Sequence, residues 1–464
     1  MLKKSVVFLS SIIAVSCTVG PNYKKTETYS DVVIKQELQL QKKHQIPKNW
    51  YALFGDEQLN RLIELGLKNN TDIELAVTRL KQTRAELRIT QTAFLPQIGA
   101  QGGYNYQKVS KNIGAAADSQ YYSAGFDASW ELDLWGKGRR QDEAALAMVK
   151  AEEYSLSNVK AIVTAELAAN YINLKLAAEK LRIAEQNLAL QKDIFNTVHS
   201  KYQSGLADDI AYNQAEYLLD NTNAQIPALE SQIEQYKNAL SVLAGVLPSQ
   251  LPLDVKKRSP IFMNVYEFNT SAMYDLPAYV IRSRPDVAVA EQNVIAQNAL
   301  IGAAVADLYP DVSVSALWGY AASGGNSLFN SKSQSYSYKP LVTLPLLDWK
   351  RLQNQVEKQR QVKAEALAQY KKVVLSAVSE LKNAMTAVQN EIKSNKSKNA
   401  ALFRMNNVVN SAAERYRNGL IEFSDYATFE QNRLNAQNSS IESRAQIFQN
   451  LVAYYKASGG GYLL

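Results

Sequence analysis

One internal spacing constrains this chain more than any other feature. Pro96, in Phe94-Leu95-Pro96-Gln97-Ile98, has a counterpart in Pro310, in Leu308-Tyr309-Pro310-Asp311-Val312, and the two stand 214 residues apart (310 − 96). The same offset relates Asp72-Ile73 to Asp286-Val287, Trp135 to Trp349, Gly245 to Gly459, and Tyr202-x-x-Gly205-Leu206 to Tyr416-x-x-Gly419-Leu420. A long period that occurs twice is not a solenoid repeat; it describes one structure assembled from two equivalent halves. Apart from a connector near Pro248 to Pro277, the 464 residues show no boundary between unlike parts, which argues for one elongated body.

The N-terminus reads as a leader. Lys3-Lys4 form a short positive region, Val6 to Val15 are mostly apolar, and Ala14-Val15-Ser16 supply small residues before Cys17. The apolar run is too short to span a bilayer and remain there. Cys17 is the only cysteine, so no intramolecular disulfide forms, and acylation of Cys17 after cleavage accounts for a lone thiol in an exported chain. A bacterial lipobox usually has Leu where this chain has Ala14, and the alternative is a plain secretory leader with an incidental cysteine. The net charge of +7 loses two units with Lys3 and Lys4; the mild excess left is spread along the chain, as on solvated helix faces, and argues against nucleic-acid binding.

Residues 18–49 are polar, lysine-rich and aperiodic, which suggests an extended segment. The pattern predicts a first helix over Trp50 to Leu67, then a capping box in Thr71-Asp72-Ile73-Glu74, with Pro285 in the corresponding place of the second half. After each central proline the period changes from 3.6 to 2. Tyr122, Ala124, Phe126, Ala128, Trp130, Leu132 and Leu134 alternate with mostly polar residues, and three similar runs occupy Ile98 to Tyr106, Val312 to Tyr320 and Tyr336 to Leu346. Each half thus contributes a hairpin, and the chain four strands.

Trp130, Trp135, Trp318 and Trp349 sit in or just beyond these strands, as aromatics do at a membrane interface. The alternative is two hairpins packed on a soluble core. Four strands do not close a barrel and open edges are not tolerated in lipid, so strands that enter a membrane must be shared among chains: two chains give eight and a filled interior, three give twelve and a lumen.

Between each hairpin and each Gly-Leu pair runs a very long helical pattern. From near Gln141 to Ser204 it meets neither Pro nor Gly and would make a rod of about 95 Å. Gly205 and Gly419 reverse the chain, and shorter helices return to Gly245 and Gly459. Pro227 lies inside the first return helix, where it should kink or break it. The lysine-rich Lys393 to Lys398 interrupts the apolar seam as a solvated outer face.

With these features the chain resembles the TolC-like outer membrane factors, outer-membrane efflux proteins, in their lipoprotein branch. The resemblance rests on Cys17-Thr18-Val19-Gly20-Pro21-Asn22-Tyr23, Trp50-Tyr51-x-x-Phe54-Gly55-Asp56, Trp130-Glu131-Leu132-Asp133-Leu134-Trp135-Gly136, Leu276-Pro277 with Arg284-Pro285-Asp286, and the closing Ala457-Ser458-Gly459-Gly460-Gly461. It implies a mixed α and β membrane protein: a homotrimer with a transmembrane β-barrel shared by three chains, four strands from each, continued by a long α-helical coiled-coil barrel in the periplasm. The expected organisation is a signal peptide over 1–16, a lipidated extended segment over 17–55, a first repeat over 56–247, a connector over 248–275, a second repeat over 276–461 and a tail over 462–464.

The resemblance also implies partners and sites. A periplasmic adaptor and an inner-membrane pump would dock, with Gly205, Leu206, Gly419 and Leu420 forming the surface for the adaptor, although both leucines could instead pack back onto their hairpins. Tyr416 falls at an inter-helix tether and Asp425 at an acidic constriction, with Glu422 on the same helix face. Ala211 and Thr428 depart from acidic positions of the family. Asp208 and Asp209 could compensate, or could cap the returning helix. Cys17 would carry the lipid, placing the chain at the outer membrane.

No cofactor or metal is expected. His44 and His199 are the only histidines, and no phosphate-binding glycine loop precedes a helix, so enzymatic chemistry has little to work with. Two readings rival an efflux conduit. A structural coiled-coil envelope lipoprotein explains the rods but not the alternating hairpins, and an outer-membrane duct for protein secretion would use the same architecture. The transported substrate is not written in these residues.

Overall fold

A computed structural model describes residues 18–24, 47–110, 112, 119–263, 281 and 283–462. Cys17, His44, Leu276-Pro277, most of the expected extended segment and part of the connector lie outside these residues. In chain order the described elements are a 3₁₀ turn (Trp50–Phe54), α1 (Glu57–Asn69), α2 (Thr71–Thr92), β1 (Gln97–Gln107), β2 (Ser119–Glu131), α3 (Lys137–Gln203) and α4 (Asp209–Ala244). They continue with α5 (Pro285–Ala306), β3 (Asp311–Ala322), β4 (Gln334–Thr343), α6 (Trp349–Arg417) and α7 (Phe423–Ala457). The 214-residue offset carries α2 onto α5 at both ends and Asp209 of α4 onto Phe423 of α7.

Local chemistry corrects two expectations and narrows a third. The helix predicted over Trp50 to Leu67 is two elements, because Gly55 takes φ 69° and buried Asp56 starts α1 by accepting from the backbone N–H of Gln58 and Leu59 at 3.0 and 3.4 Å. The cap of α2 is Asn70 rather than Thr71: its Oδ1 accepts from the N–H of Asp72 at 2.9 Å and of Ile73 at 3.1 Å. Pro227 lies within α4 without ending it. A cavity of about 260 Å³ lies along this stretch of the helix, lined in part by Thr222, Gln225, Ala228 and Leu229.

The described residues form two compact units, one drawn from Met1–Thr26, Arg79–Glu153 and Val289–Lys371, the other from Glu27–Thr78, Tyr154–Ala288 and Lys372–Leu464. The second unit is helical. Trp50 stacks on Tyr455 at 4.9 Å, and Asp56 accepts from the hydroxyls of Tyr171 at 2.8 Å and Ser259 at 2.5 Å. Arg284, almost fully buried, donates to Asp286, Glu380 and the carbonyl of Ala457. A buried guanidinium is tolerated only when satisfied in this way.

The first unit holds the sheet, in the order β1-β2-β3-β4 with every neighbouring pair antiparallel. Its register sorts the side chains. Ala100 faces Phe126, Phe126 faces Trp318, and Trp318 faces Tyr336, so even-numbered residues always oppose even-numbered ones. Because successive side chains point to opposite faces, one face collects Ile98, Tyr104, Phe126, Val314, Trp318 and Tyr338, while the other collects Gln101, Ser123, Asp127, Glu131, Ser315 and Lys339. A slip of one residue in any ladder would mix the two. Most of the apolar face is exposed, Ile98, Tyr104, Phe126, Trp318 and Tyr338 among it. Pro340 lies on β4, an edge strand, where sheets accept a proline.

Among the described residues no helix is long and apolar enough to cross a membrane. If the apolar face meets lipid, neighbouring residues of β3 should respond oppositely to charge. Ala316→Arg, on the apolar face, should reduce the fraction of chain recovered folded in outer membranes, at a cost of about 2–4 kcal/mol per copy near the midplane. Ser315→Arg, one residue away on the polar face, should leave recovery near the parental level; equal losses would contradict the assignment of faces.

Candidate functional site: the two helical turns

The residues expected to dock and gate lie at two equivalent helix reversals in the helical unit. At the first, Gly205 has φ 69°, its N–H donates to the carbonyl of Tyr202 at 3.0 Å, and the N–H of Leu206 donates to that of Lys201 at 2.8 Å. At the second, Gly419 has φ 71°, with the corresponding bonds to Tyr416 at 3.1 Å and from Leu420 to Arg415 at 2.8 Å. These are Schellman closures, which require a left-handed residue. A Cβ at either glycine would meet nothing within 4 Å, so backbone conformation alone demands glycine there. Leu206 and Leu420 do not pack back; they are 79% and 71% exposed in the single chain.

Each turn is tied by a pair of tyrosines in equivalent positions. Tyr202 stacks on Tyr212 with ring centroids 5.0 Å apart, and Tyr416 stacks on Tyr426 at 5.7 Å with the planes 6° from parallel. The halves then diverge. Asp209, which hydrogen-bonds the Tyr202 hydroxyl and so raises its pKa, corresponds to Phe423, which packs on Tyr416 at 5.6 Å within a buried cluster with Val198, Val409 and Tyr426. Burial likewise raises the pKa of Tyr416. One turn thus sets a carboxylate beside its tyrosine hydroxyl, and the other packs an apolar ring against its tyrosine.

The carboxylates play unequal parts. Asp208 caps α4, accepting from the N–H of Ala211 at 2.9 Å. Its counterpart Glu422 occupies the same position on α7 without capping it, and its carboxylate accepts weakly from the Ser424 hydroxyl at 3.4 Å. Asp425 is exposed in the first turn of α7. The structure brings Tyr416 together with the start of α7, and Asp209 with Tyr202; it leaves Glu422 and Asp425 facing outward from a single chain.

Sequence reasoning missed two links between the hairpins. Lys201 of α3 places its ammonium over the ring of Tyr416 of α6, 4.5 Å from the centroid. Arg433 of α7 donates to Asn187 of α3 at 3.0 Å while paired at 2.7 Å with Glu430, whose other oxygen accepts from the Tyr426 hydroxyl at 3.1 Å. A signal for the first existed, since a basic residue precedes the tyrosine in both halves, Lys201-Tyr202 and Arg415-Tyr416. The second had none, because Leu219 stands where Arg433 has its counterpart.

The four tryptophans fall at two levels of the sheet unit. Trp130 is next to last in β2, with its indole N–H on the carbonyl of Phe94 at 2.9 Å, and Trp135 donates to the carbonyl of Pro310 at 2.7 Å while stacking on Tyr309 at 4.8 Å. Trp349 is the first residue of α6. Trp318 lies instead opposite Phe126, four positions along β2 from Trp130 and so about 13 Å further up the strand.

A model of the family described as outer membrane efflux protein matches residues 62–246 and 276–460, once on each half. The chain belongs to this family. It is an outer-membrane efflux protein of bacterial type, with its helices extending into the periplasm. The solvent efflux pump outer membrane protein SrpC of Pseudomonas putida is 27% identical over 412 residues, 88% of this chain and 86% of that one. The cation efflux system protein CusC of Escherichia coli strain K12 is 24% identical over 465 residues, 99% of both. Among solved structures, the outer-membrane channel OprN superposes with a TM-score of 0.87 at 26% identity, covering 97% of this chain and 100% of that one. The Campylobacter jejuni CmeC outer membrane channel gives 0.86 at 26% identity, with 96% and 95% covered.

Proposed function

We propose that three copies of this chain form a passive conduit through the outer membrane, each supplying four strands to one barrel and its two helical hairpins to a periplasmic tube. The observation that carries this reading is the sheet: one apolar face kept in register across three ladders, with strand β1 at one edge and β4 at the other. In lipid such edges must be paired, and further copies of the same sheet supply the partner. Twelve strands leave an aqueous lumen lined by the polar face. The chain then does no chemistry of its own, and energy comes from an inner-membrane pump reached through a periplasmic adaptor. The names of relatives range from solvent to cation efflux, and in this reading the pump selects the cargo.

The exposed Leu206 and Leu420 are the proposed adaptor contacts, being apolar residues held out on rigid reversals. The double variant Leu206→Glu, Leu420→Glu should still form trimers but lose export in cells that carry the pump and adaptor. Normal export by that variant would remove the turns from the docking surface.

The start of α7 is the proposed constriction, its Glu422 and Asp425 repeated three times about one axis, where they attract cations and resist anions. Tyr416, held by Phe423, Tyr426 and Lys201, keeps α6 against α7 and α3 and so keeps it closed. In planar bilayers Asp425→Ala should raise single-channel conductance and weaken cation preference. Asp209→Ala should do so less, because Asp209 is engaged with Tyr202. Unchanged conductance and selectivity in Asp425→Ala would place the closure elsewhere.

A further inference from the structure

Residues 18–22 lie in a built groove. The Arg140 side chain, only 4% exposed, donates to the carbonyls of Val19 at 3.2 Å and Gly20 at 3.3 Å and to Oδ1 of Asn22 at 2.6 Å, and pairs with Glu143 at 2.7 Å. The N–H of Val19 donates to the carbonyl of Trp135 at 3.0 Å. Asn298, 1% exposed, donates to the carbonyl of Pro21 at 3.0 Å, while its own oxygen accepts from Lys363 at 2.9 Å.

The fit is steric as well as polar. Gly20 has φ 87°, and a Cβ there would run into the Cα of Gly302. A Cβ on Gly302 would in turn press on Arg140, and one on Gly136 would come within 2.9 Å of the Thr18 backbone. The groove spans the seam between the halves: Gly136 and Arg140 belong to the first, Asn298 and Gly302 to the second, and α3 and α5 pack there through Ala144, Ala147, Ala296 and Ala299.

The repeat shows that this groove is a specialisation. At the 214-residue offset, Gly136, Arg140, Asn298 and Gly302 correspond to Lys350, Asn354, Arg84 and Arg88. The equivalent positions therefore carry long cations in place of both small residues and an amide in place of the guanidinium, so the residues that shape the groove are not repeated in the other half.

We infer that the groove of Gly136, Arg140, Asn298 and Gly302 is a docking site for the chain's own residues 18–22, which makes the N-terminal anchor a tether without slack. Arg140 is its positioning residue. The acyl group in this inference rests on the reading of Cys17 as lipidated. Thr18 follows Cys17 in the sequence and lies on Gly136, five residues past the end of β2. Lipid attached there enters where the apolar face of the sheet ends, and force on the anchor is borne by both halves through Arg140 and Asn298. Arg140 and the strap depend on each other, since an unpaired buried guanidinium is strongly unfavourable.

Amide hydrogen exchange on the full-length trimer in detergent, with intact-mass analysis of its N-terminal peptide, tests the docking. Peptides covering residues 18–24 should exchange slowly in the parental protein and at least tenfold faster in Gly20→Val, which alters the strap and leaves the groove intact. Arg140→Ala should match Gly20→Val, and Arg140→Lys should fall between, because an ammonium reaches the carbonyls without the fork. Trimers and conductance should be unchanged in all three. Cys17→Ser should remove the acyl mass and keep the strap protected. An acyl-free parental peptide would discard the lipid reading alone; an unprotected strap in the parental protein, or unchanged protection in Gly20→Val, would overturn the docking site.

Discussion

Everything in this molecule depends on a sheet that has one greasy face and two open edges. Each ladder holds its register so that even-numbered residues meet, and the result is a surface of exposed tyrosine, phenylalanine and tryptophan that water does not favour. Lipid removes that difficulty and creates another, because each unpaired N–H or C=O in hydrocarbon costs several kcal/mol. β1 is 11 residues long and β4 is 10, so an isolated sheet would carry many such groups. Association with further copies satisfies the edges of both strands at once.

The duplication supplies the helical part of the same solution and then departs from itself where function needs asymmetry. Both reversals use the same glycine closure and the same tyrosine stack, so the backbone of the turn is fixed twice over. What differs is the residue set against the first tyrosine: Asp209 in one half and Phe423 in the other. Asp208 spends its carboxylate on a helix cap, whereas Glu422, at the same position, keeps its own outward. A symmetric backbone therefore carries exposed carboxylates at both helix starts, but only on α4 is one of them committed to the cap. The strap groove is a second departure, at the other unit, made by small residues and one arginine.

Much of this was legible because the signals were periodic. Alternation predicted all four strands, three-and-four spacing predicted the long α3 and α6, with the absence of Pro and Gly adding to the case for α3, and the two glycines predicted the reversals. The misses were local competitions among capping residues. Asn70 and Thr71 are both able to cap, and the amide of Asn70 wins because it bonds two free N–H groups and also donates to the carbonyl of Leu243 at 2.8 Å. Gly55 ends a short turn that periodicity ran through. Contacts between distant segments, such as Lys201 on Tyr416 or Arg140 on residues 19–22, leave no local period, and only the repeat comparison hints at them.

The repeat also specifies how copies should join. Within one chain β2 pairs with β3 so that Asp127 faces Leu317. Moving each partner by the offset, to Leu341 on β4 and Gly103 on β1, gives the expected pairing between one copy and the next. Cysteines placed at Gly103 and Leu341 in a Cys17→Ser background should oxidise, in membranes, to a covalent trimer on a non-reducing gel. The same experiment with Gln107 and Leu341, four residues out of register and about 13 Å apart, should give monomers. Monomers from the first pair, or equal cross-linking from both, would contradict a barrel closed by β1 against β4 of its neighbour.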